Sequence, residues 1–210
     1  MVASGWSGRV VISRRQFLAA AVAAGASGSA GARELPPVSE ILFDPALPVL
    51  GNPHGDVTIA EFFDYACPYC KVVHPHLKDI VQEDGNIRLV MKDWPINGEL
   101  AAYASRMVLA ADRLGVYAPA HAAVMEIEGG LTIRGISGAM RGKGIDVGAI
   151  RDALDVHLTE IDALLVRNQQ QARGLSLPGT PAFIVGSNLY RQPLSPEEIR
   201  RAIARARSNR

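Results

Sequence analysis

The sequence predicts an α/β fold in which a βαβ unit and a ββα unit are separated by a block of helices. Three observations carry this reading. Two β-rich runs, Val57 to Phe63 and Ile87 to Lys92, enclose a stretch of helical character. Apolar residues then recur at helical spacing through about residue 173. A hairpin pattern and a strongly capped helix close the chain.

Residues 33–55 hold Pro36, Pro37, Pro45, Pro48 and Pro53 and read as an extended lead-in, with at most a short strand near Ile41-Leu42-Phe43. Val57-Thr-Ile-Ala-Glu-Phe-Phe63 is the first clear strand. A helix follows from Cys67 to about Glu83, Asp84-Gly85-Asn86 is a turn, and Ile87 to Lys92 is the second strand. That order implies a right-handed crossover. Leu100, Tyr103, Ala104, Met107, Val108, Ala111 and Leu114 fall on one helical face, with Gly115 as a C-cap. Ile150, Leu154, Leu158, Ile161 and Leu165 continue the pattern, and Gly129-Gly130 and Gly142-Lys143-Gly144 separate shorter pieces. Pro181 to Val185 and Leu189 to Arg191 form a hairpin around Gly186-Ser187-Asn188. Ser195 caps the last helix, with Pro196 at its first position and Glu198 completing a capping box.

A chain of 210 residues suits one domain with an insertion. Arg9, Arg14 and Arg15 are the only charged residues in 1–32, which leaves 19 basic against 21 acidic residues in the rest. A near-neutral body gives no electrostatic reason to bind nucleic acid. The C-terminal arginines, Arg200 to Arg210, read as a solvated helix face and a frayed end.

The first 32 residues read as an export address. A basic start precedes a short apolar, Gly-rich run, and Ala30-Gly31-Ala32 supplies a cleavage pattern before Arg33. The apolar run is shorter than the roughly 20 residues of a membrane span. Ser13-Arg14-Arg15-Gln16-Phe17-Leu18 is similar to the twin-arginine export consensus. A general secretory signal and an uncleaved anchor are the alternatives.

Cys67 and Cys70 are the only cysteines, so any thiol chemistry lies in Cys67-Pro68-Tyr69-Cys70. Pro68 at the first helical position makes Cys67 the helix cap. Its sulfur then faces unpaired backbone N–H groups and the positive end of the helix dipole, which favours thiolate. Cys70 lies about one turn further in. One thiol attacks and the other resolves, as dithiol exchange through a mixed disulfide requires. A purely structural disulfide closing so small a loop would stabilise little. A metal site from Cys67, Cys70, His74 and His76 matches no zinc module, and the two histidines read as helix-surface residues. No metal and no cofactor is expected.

Phe62-Phe63-Asp64-Tyr65-Ala66-Cys67-Pro68-Tyr69-Cys70, joined to Gly179-Thr180-Pro181-Ala182-Phe183 after the helical block, resembles the DsbA-like family of bacterial thiol–disulfide oxidoreductases over about residues 49–208. The resemblance implies a thioredoxin fold with an inserted helical domain: signal peptide 1–32, lead-in 33–55, thioredoxin-like domain 56–97 and 174–210, and helical insertion 98–173. It implies a cis Thr180–Pro181 bond facing the cysteines, with the Thr180 backbone open to a substrate strand. A trans proline beginning an edge strand is the alternative. Pro75 takes the place of the helix-kinking proline. Glu61 takes the place of a buried acid with a raised pKa that relays a proton to or from Cys70, with Lys92 as its partner. An outward-facing Glu61 and a solvated Lys92 are the plainer readings.

Tyr69 departs from the pattern. The best-known oxidants of this family carry histidine there, and Pro-Tyr is the dipeptide of the reducing glutaredoxins. The direction of electron transfer therefore stays open between a periplasmic disulfide oxidase and a reductase or isomerase of the same fold. Residues 33–55 are too few for an isomerase's dimerisation domain, so a monomer is favoured. The expected partners are folding exported proteins as substrates and a membrane redox partner. An exported metal-binding or chaperone-like protein is the reading from another class. Replacing Arg14-Arg15 by two lysines is expected to abolish export, measured by cell fractionation; normal export would leave a general secretory signal.

Overall fold

The computed structural model describes residues 37–209. The expected signal peptide and its cleavage point lie outside them. A five-stranded sheet is built from β1 (Val49–Gly51), β2 (Val57–Phe63), β3 (Ile87–Asp93), β4 (Ala182–Val185) and β5 (Asn188–Tyr190). Its order is β1-β3-β2-β4-β5. Only β2 and β3 run parallel, as their helical crossover requires, and they start level, Val57 opposite Ile87.

The crossover is α2 (Pro68–Asp84), closed by Gly85 at φ +68°. Between β3 and β4 the chain forms α3 (Glu99–Arg113), α4 (Tyr117–Met125), α5 (Ile133–Gly142) and α6 (Val147–Gly174). The Asp146 side chain caps α6 by accepting from the Gly148 and Ala149 N–H groups. The last helix, α7 (Pro196–Ser208), has the expected cap: the Ser195 side chain accepts from the Glu198 N–H, and the Glu198 side chain accepts from the Ser195 N–H.

The lead-in differs from the expectation. Residues 41–43 are not a strand; they end a helix, α1 (Val38–Phe43), entered from Pro37. Ile41 and Leu42 are buried, and the Phe43 ring lies under the Arg88 guanidinium. The strand of this region is β1, antiparallel to β3 at the sheet edge. The C-terminal arginines are also more engaged than expected. Arg207 binds both Asp56 and Asp84, and Arg200 binds Glu83, so α7 is tied to α2 and to the start of β2.

Strand alternation corrects the expected Glu61–Lys92 pair. In the parallel register Lys92 stands opposite Phe62, whereas Glu61 stands opposite Met91. Side chains alternate faces along a strand, so Glu61 and Lys92 point to opposite sides of the sheet. Lys92 is fully buried on the α1 side, where its Nζ donates to the Ile41 carbonyl at 3.3 Å and lies 5.5 Å above the Phe62 ring. Burial pushes its pKa down to about 7, with Arg167 adding to the fall and Asp44 opposing it.

This ammonium works against folding. A lysine whose folded pKa lies below its unfolded value binds fewer protons when native, so stability rises with pH across the interval between the two. Lys92→Met is expected to unfold at higher urea than wild type at pH 7, and to lack the wild-type rise in stability from about pH 7 toward 10. Urea titrations at pH 6.5 and 9.5 measure both; parallel curves for the two proteins would mean that Lys92 is not the titrating group.

Candidate active site

The candidate site is assembled where β2 turns into α2. Asp64, the residue after β2, is completely buried and ties this turn down. Its Oδ1 accepts from the Ala66 N–H at 2.6 Å. Its Oδ2 accepts from the Ile96 and Asn97 N–H groups and from Asn97 Nδ2, at 2.7, 2.8 and 2.9 Å. The Cys67 N–H donates to the Asp64 carbonyl at 3.1 Å. One side chain thus locks the approach to the cysteines onto the loop after β3. The aspartate two residues before a bonded N–H is a local turn pattern visible in sequence, but its long-range partners are not.

Cys67 is the N-cap of α2 in extended geometry, with Pro68 at the first helical position, as expected. Pro75 lies inside the helix, which continues to Asp84. The Thr180–Pro181 bond is cis, and the Cys67 thiol donates to the Thr180 carbonyl at 3.2 Å. Cys67, Cys70 and Thr180 are therefore together, and both cysteines are free thiols. The Tyr69 side chain is 65% exposed and points away into solvent.

The two thiols are driven in opposite directions. Cys67 has a pKa lowered to about 6, chiefly by the hydrogen bond from the Cys70 side chain, then by donors from the Thr180 side chain and the Cys70 and Tyr69 backbone; partial burial opposes them. Its contact with the Thr180 carbonyl favours the thiol, and the several donors outweigh it. Cys70 has no exposed surface; burial raises its pKa strongly, and the hydrogen bond to Cys67 and the nearby Glu61 charge add to the rise.

Glu61 is buried, 1% exposed, on the β2 face turned toward α2. Burial raises its pKa to about 8, and Cys67 adds to the rise. A neutral carboxyl that interacts with both thiols can exchange a proton with the inner one. Beside it lies a cluster that the sequence did not disclose. His121 of α4 is buried between Phe63, Tyr65 and Tyr117, and its Nδ1 is 2.8 Å from the Tyr65 hydroxyl. His74 is half-buried with its ring 4.9 Å from that of His121, so it is not the surface residue expected, whereas His76 is exposed. His121 gave little local signal, because all its partners but Tyr117 come from β2, its following loop and α2. Asp93, also fully buried on this side, has its pKa raised to about 8 by burial.

The family model for thioredoxin matches residues 44–205, and the chain belongs to the thioredoxin family. Its thiol pair and its fold make it a DsbA-like protein thiol–disulfide oxidoreductase. It is 36% identical to a thioredoxin-like oxidoreductase from Silicibacter pomeroyi DSS-3, with a TM-score of 0.77 over 81% of this chain and 97% of that one. It is 25% identical to the thiol-disulfide exchange protein alpha-DsbA2 from Wolbachia pipientis, TM-score 0.75, covering 80% and 90%. A periplasmic thioredoxin-like protein from Salmonella enterica serovar Typhimurium is also 25% identical, TM-score 0.71, covering 83% and 99%. A curated relative, the Na(+)/H(+) antiporter NhaA 1 of Salinispora arenicola, is 26% identical over 187 residues, and this chain spans only 28% of its length.

With Cys67 ionising near 6, the rate of attack on a small-molecule disulfide is expected to rise with pH up to about 6 and level off above about 7. Stopped-flow thiolate absorbance checks this, and a rise that continues to pH 9 would indicate an ordinary thiol.

Proposed function

We propose that this protein is an exported disulfide oxidase. Cys67 is the nucleophile that enters the mixed disulfide, Cys70 resolves it, Glu61 exchanges the proton of Cys70, and the backbone at Thr180-Pro181 receives the substrate strand. Pro68 sets the cap geometry of Cys67. Helices α3–α6 are read as an inserted domain on the thioredoxin core. The observation that carries the oxidase reading is the low pKa of Cys67 against the raised pKa of Cys70. A stabilised thiolate favours the reduced enzyme, and an enzyme that prefers to be reduced oxidises its substrate.

Export rests on the twin-arginine pattern of residues 13–18. Among the described residues no helix is long and apolar enough to cross a membrane. Folding exported proteins would be the substrates, and a membrane protein would reoxidise the reduced enzyme. The reductase reading is favoured by one observation: Tyr69 places no charge beside the Cys67 sulfur, and only its backbone reaches it.

Equilibration of the purified protein with glutathione separates the two. The oxidase reading expects a potential between about −230 and −120 mV, and a value near that of thioredoxin, about −270 mV, would establish a reductase. Cys70→Ser is expected to accumulate substrate adducts; adducts on Cys67→Ser instead would reverse the two roles.

A further inference from the structure

Behind the thiol pair, enclosed by α2, α4 and the sheet, lies a cavity of about 230 Å³ with mostly apolar walls. Three of its lining residues are titratable and carry a buried side-chain atom without a hydrogen-bond partner: Glu61 Oε1, His74 Nε2 and His121 Nε2. Buried polar atoms are seldom left unpaired, and three around one cavity mark a place built for water or for proton transfer. Its mouth is formed by exposed residues, Gly51 of β1 and Lys78 and Gln82 of α2. The volume admits several water molecules, each occupying about 30 Å³ in the liquid.

The geometry points to His74 and His121 as the residues that pass protons between solvent and Glu61 through this cavity. The inference rests on the proposed relay role of Glu61 and asks where its proton comes from. A substrate thiolate attacks Cys67 Sγ, the Cys67–Cys70 bond breaks, and its electron pair leaves on Cys70 Sγ. That sulfur takes the proton of the Glu61 carboxyl. A second substrate thiolate then displaces Cys67 thiolate from the mixed disulfide, so the substrate dithiol is oxidised and the enzyme disulfide reduced. Cys70 keeps that proton in the reduced enzyme, so at pH 7 the Glu61 carboxylate refills from solvent, and a proton must leave again when Cys70 is deprotonated for reoxidation. The front is closed to it: Cys70 has no exposed surface and Cys67 is 5% exposed. The cavity is the other way in.

The histidines suit the transfer. In the tautomer whose Nδ1 accepts from the Tyr65 hydroxyl, the neutral imidazole of His121 carries its proton on Nε2, the unpartnered atom. Burial lowers the pKa of both rings, with His74 adding to the fall for His121 and Lys78 to the fall for His74, so both are neutral at pH 7 and pass a proton without holding it. The groups around Glu61 are Cys67, Cys70, His74 and Lys78 from α2, Asp93 from β3, Tyr65 from the following loop, and Tyr117 and His121 from α4; Glu126 acts on His74 from its far side.

The test compares His74→Gln and the cavity-filling Ala122→Leu with Glu61→Gln and with His74→Gln in the Glu61→Gln background. Multiple-turnover oxidation of a dithiol peptide, with oxidised glutathione regenerating the enzyme disulfide, is followed from pH 5.5 to 9 in H2O and in D2O, alongside the glutathione equilibrium. The first two variants are expected to slow exchange roughly ten-fold near pH 7 and to enlarge the solvent isotope effect, with the equilibrium unchanged. In the Glu61→Gln background His74→Gln is expected to add nothing. If Glu61→Gln alters the pH–rate profile while both other variants keep wild-type rates, the route is overturned and the role of Glu61 stands. An additive loss in the double variant would make the effect of His74 structural and also overturn the route. If Glu61→Gln leaves the profile unchanged, the relay role fails and the route with it.

Discussion

The site depends on the fixed position of one helix terminus, and Asp64 fixes it. Cys67 draws its reactivity chiefly from the Cys70 thiol and further from backbone N–H groups, both placed by the start of α2, so a terminus that frayed by a residue would lose them. Asp64 prevents this by accepting four hydrogen bonds, from Ala66 on one side and from Ile96 and Asn97 on the other. Hydrogen bonds to a charged group contribute about 1.5–3 kcal/mol each. They join the two loops at the C-terminal ends of the parallel strands, where an α/β sheet places its functional groups. The cis Thr180–Pro181 segment enters the same place from β4, and the Cys67 sulfur meets it there.

The sheet also sorts the buried charges. Strands β2 and β3 begin level, so residues at even and odd distances from Val57 and Ile87 fall on opposite faces. Glu61 is four residues along its strand and Lys92 is five along its own. That single step separates an acid facing the thiols from a base facing α1. The separation has a chemical consequence. With Lys92 on the opposite face, Glu61 is dominated by burial and stays protonated to about pH 8, whereas a paired lysine would have held it ionised. A neutral carboxyl has a proton to give to an emerging Cys70 thiolate; an ion-paired carboxylate has none.

Much of this was legible in the sequence because the signals are local. The span of β2, the proline after Cys67 and the capping box at Ser195 each act within a few residues, and the structure has them where the sequence placed them. The two faces of β2 and β3 were legible in principle, from the parity of Glu61 and Lys92, once the strands were taken to start together. Helix α1 was not. It has six residues, too few for a 3.6-residue period to show among prolines, and its burial is decided by Arg88 and Lys92 from a distant strand. His121 was illegible for the same reason. On an alanine-rich helix it reads as an ordinary residue, and only the packing of α4 against α2 and the loop after β2 brings it to Tyr65 and His74.

The division of labour between the thiols follows from depth. Both sit on the first turn of α2, and a single hydrogen bond between them acts with opposite sign on each, lowering Cys67 and raising Cys70. Burial then widens the gap, since Cys70 is sealed against the core while Cys67 borders the surface. The charge that the pair carries in its reduced form therefore resides on the outer sulfur, the one a substrate can reach. The inner sulfur is held as the thiol, with the Glu61 carboxyl at its back. The groups that stabilise the Cys67 thiolate are almost all supplied by the fold: the Cys70 thiol, the Thr180 side chain and two backbone N–H groups. Tyr69 adds only a backbone donor, because its ring is turned to solvent. The character of the Cys67 thiol is thus a property of the helix terminus, of the Cys70 thiol beside it and of the Thr180 segment.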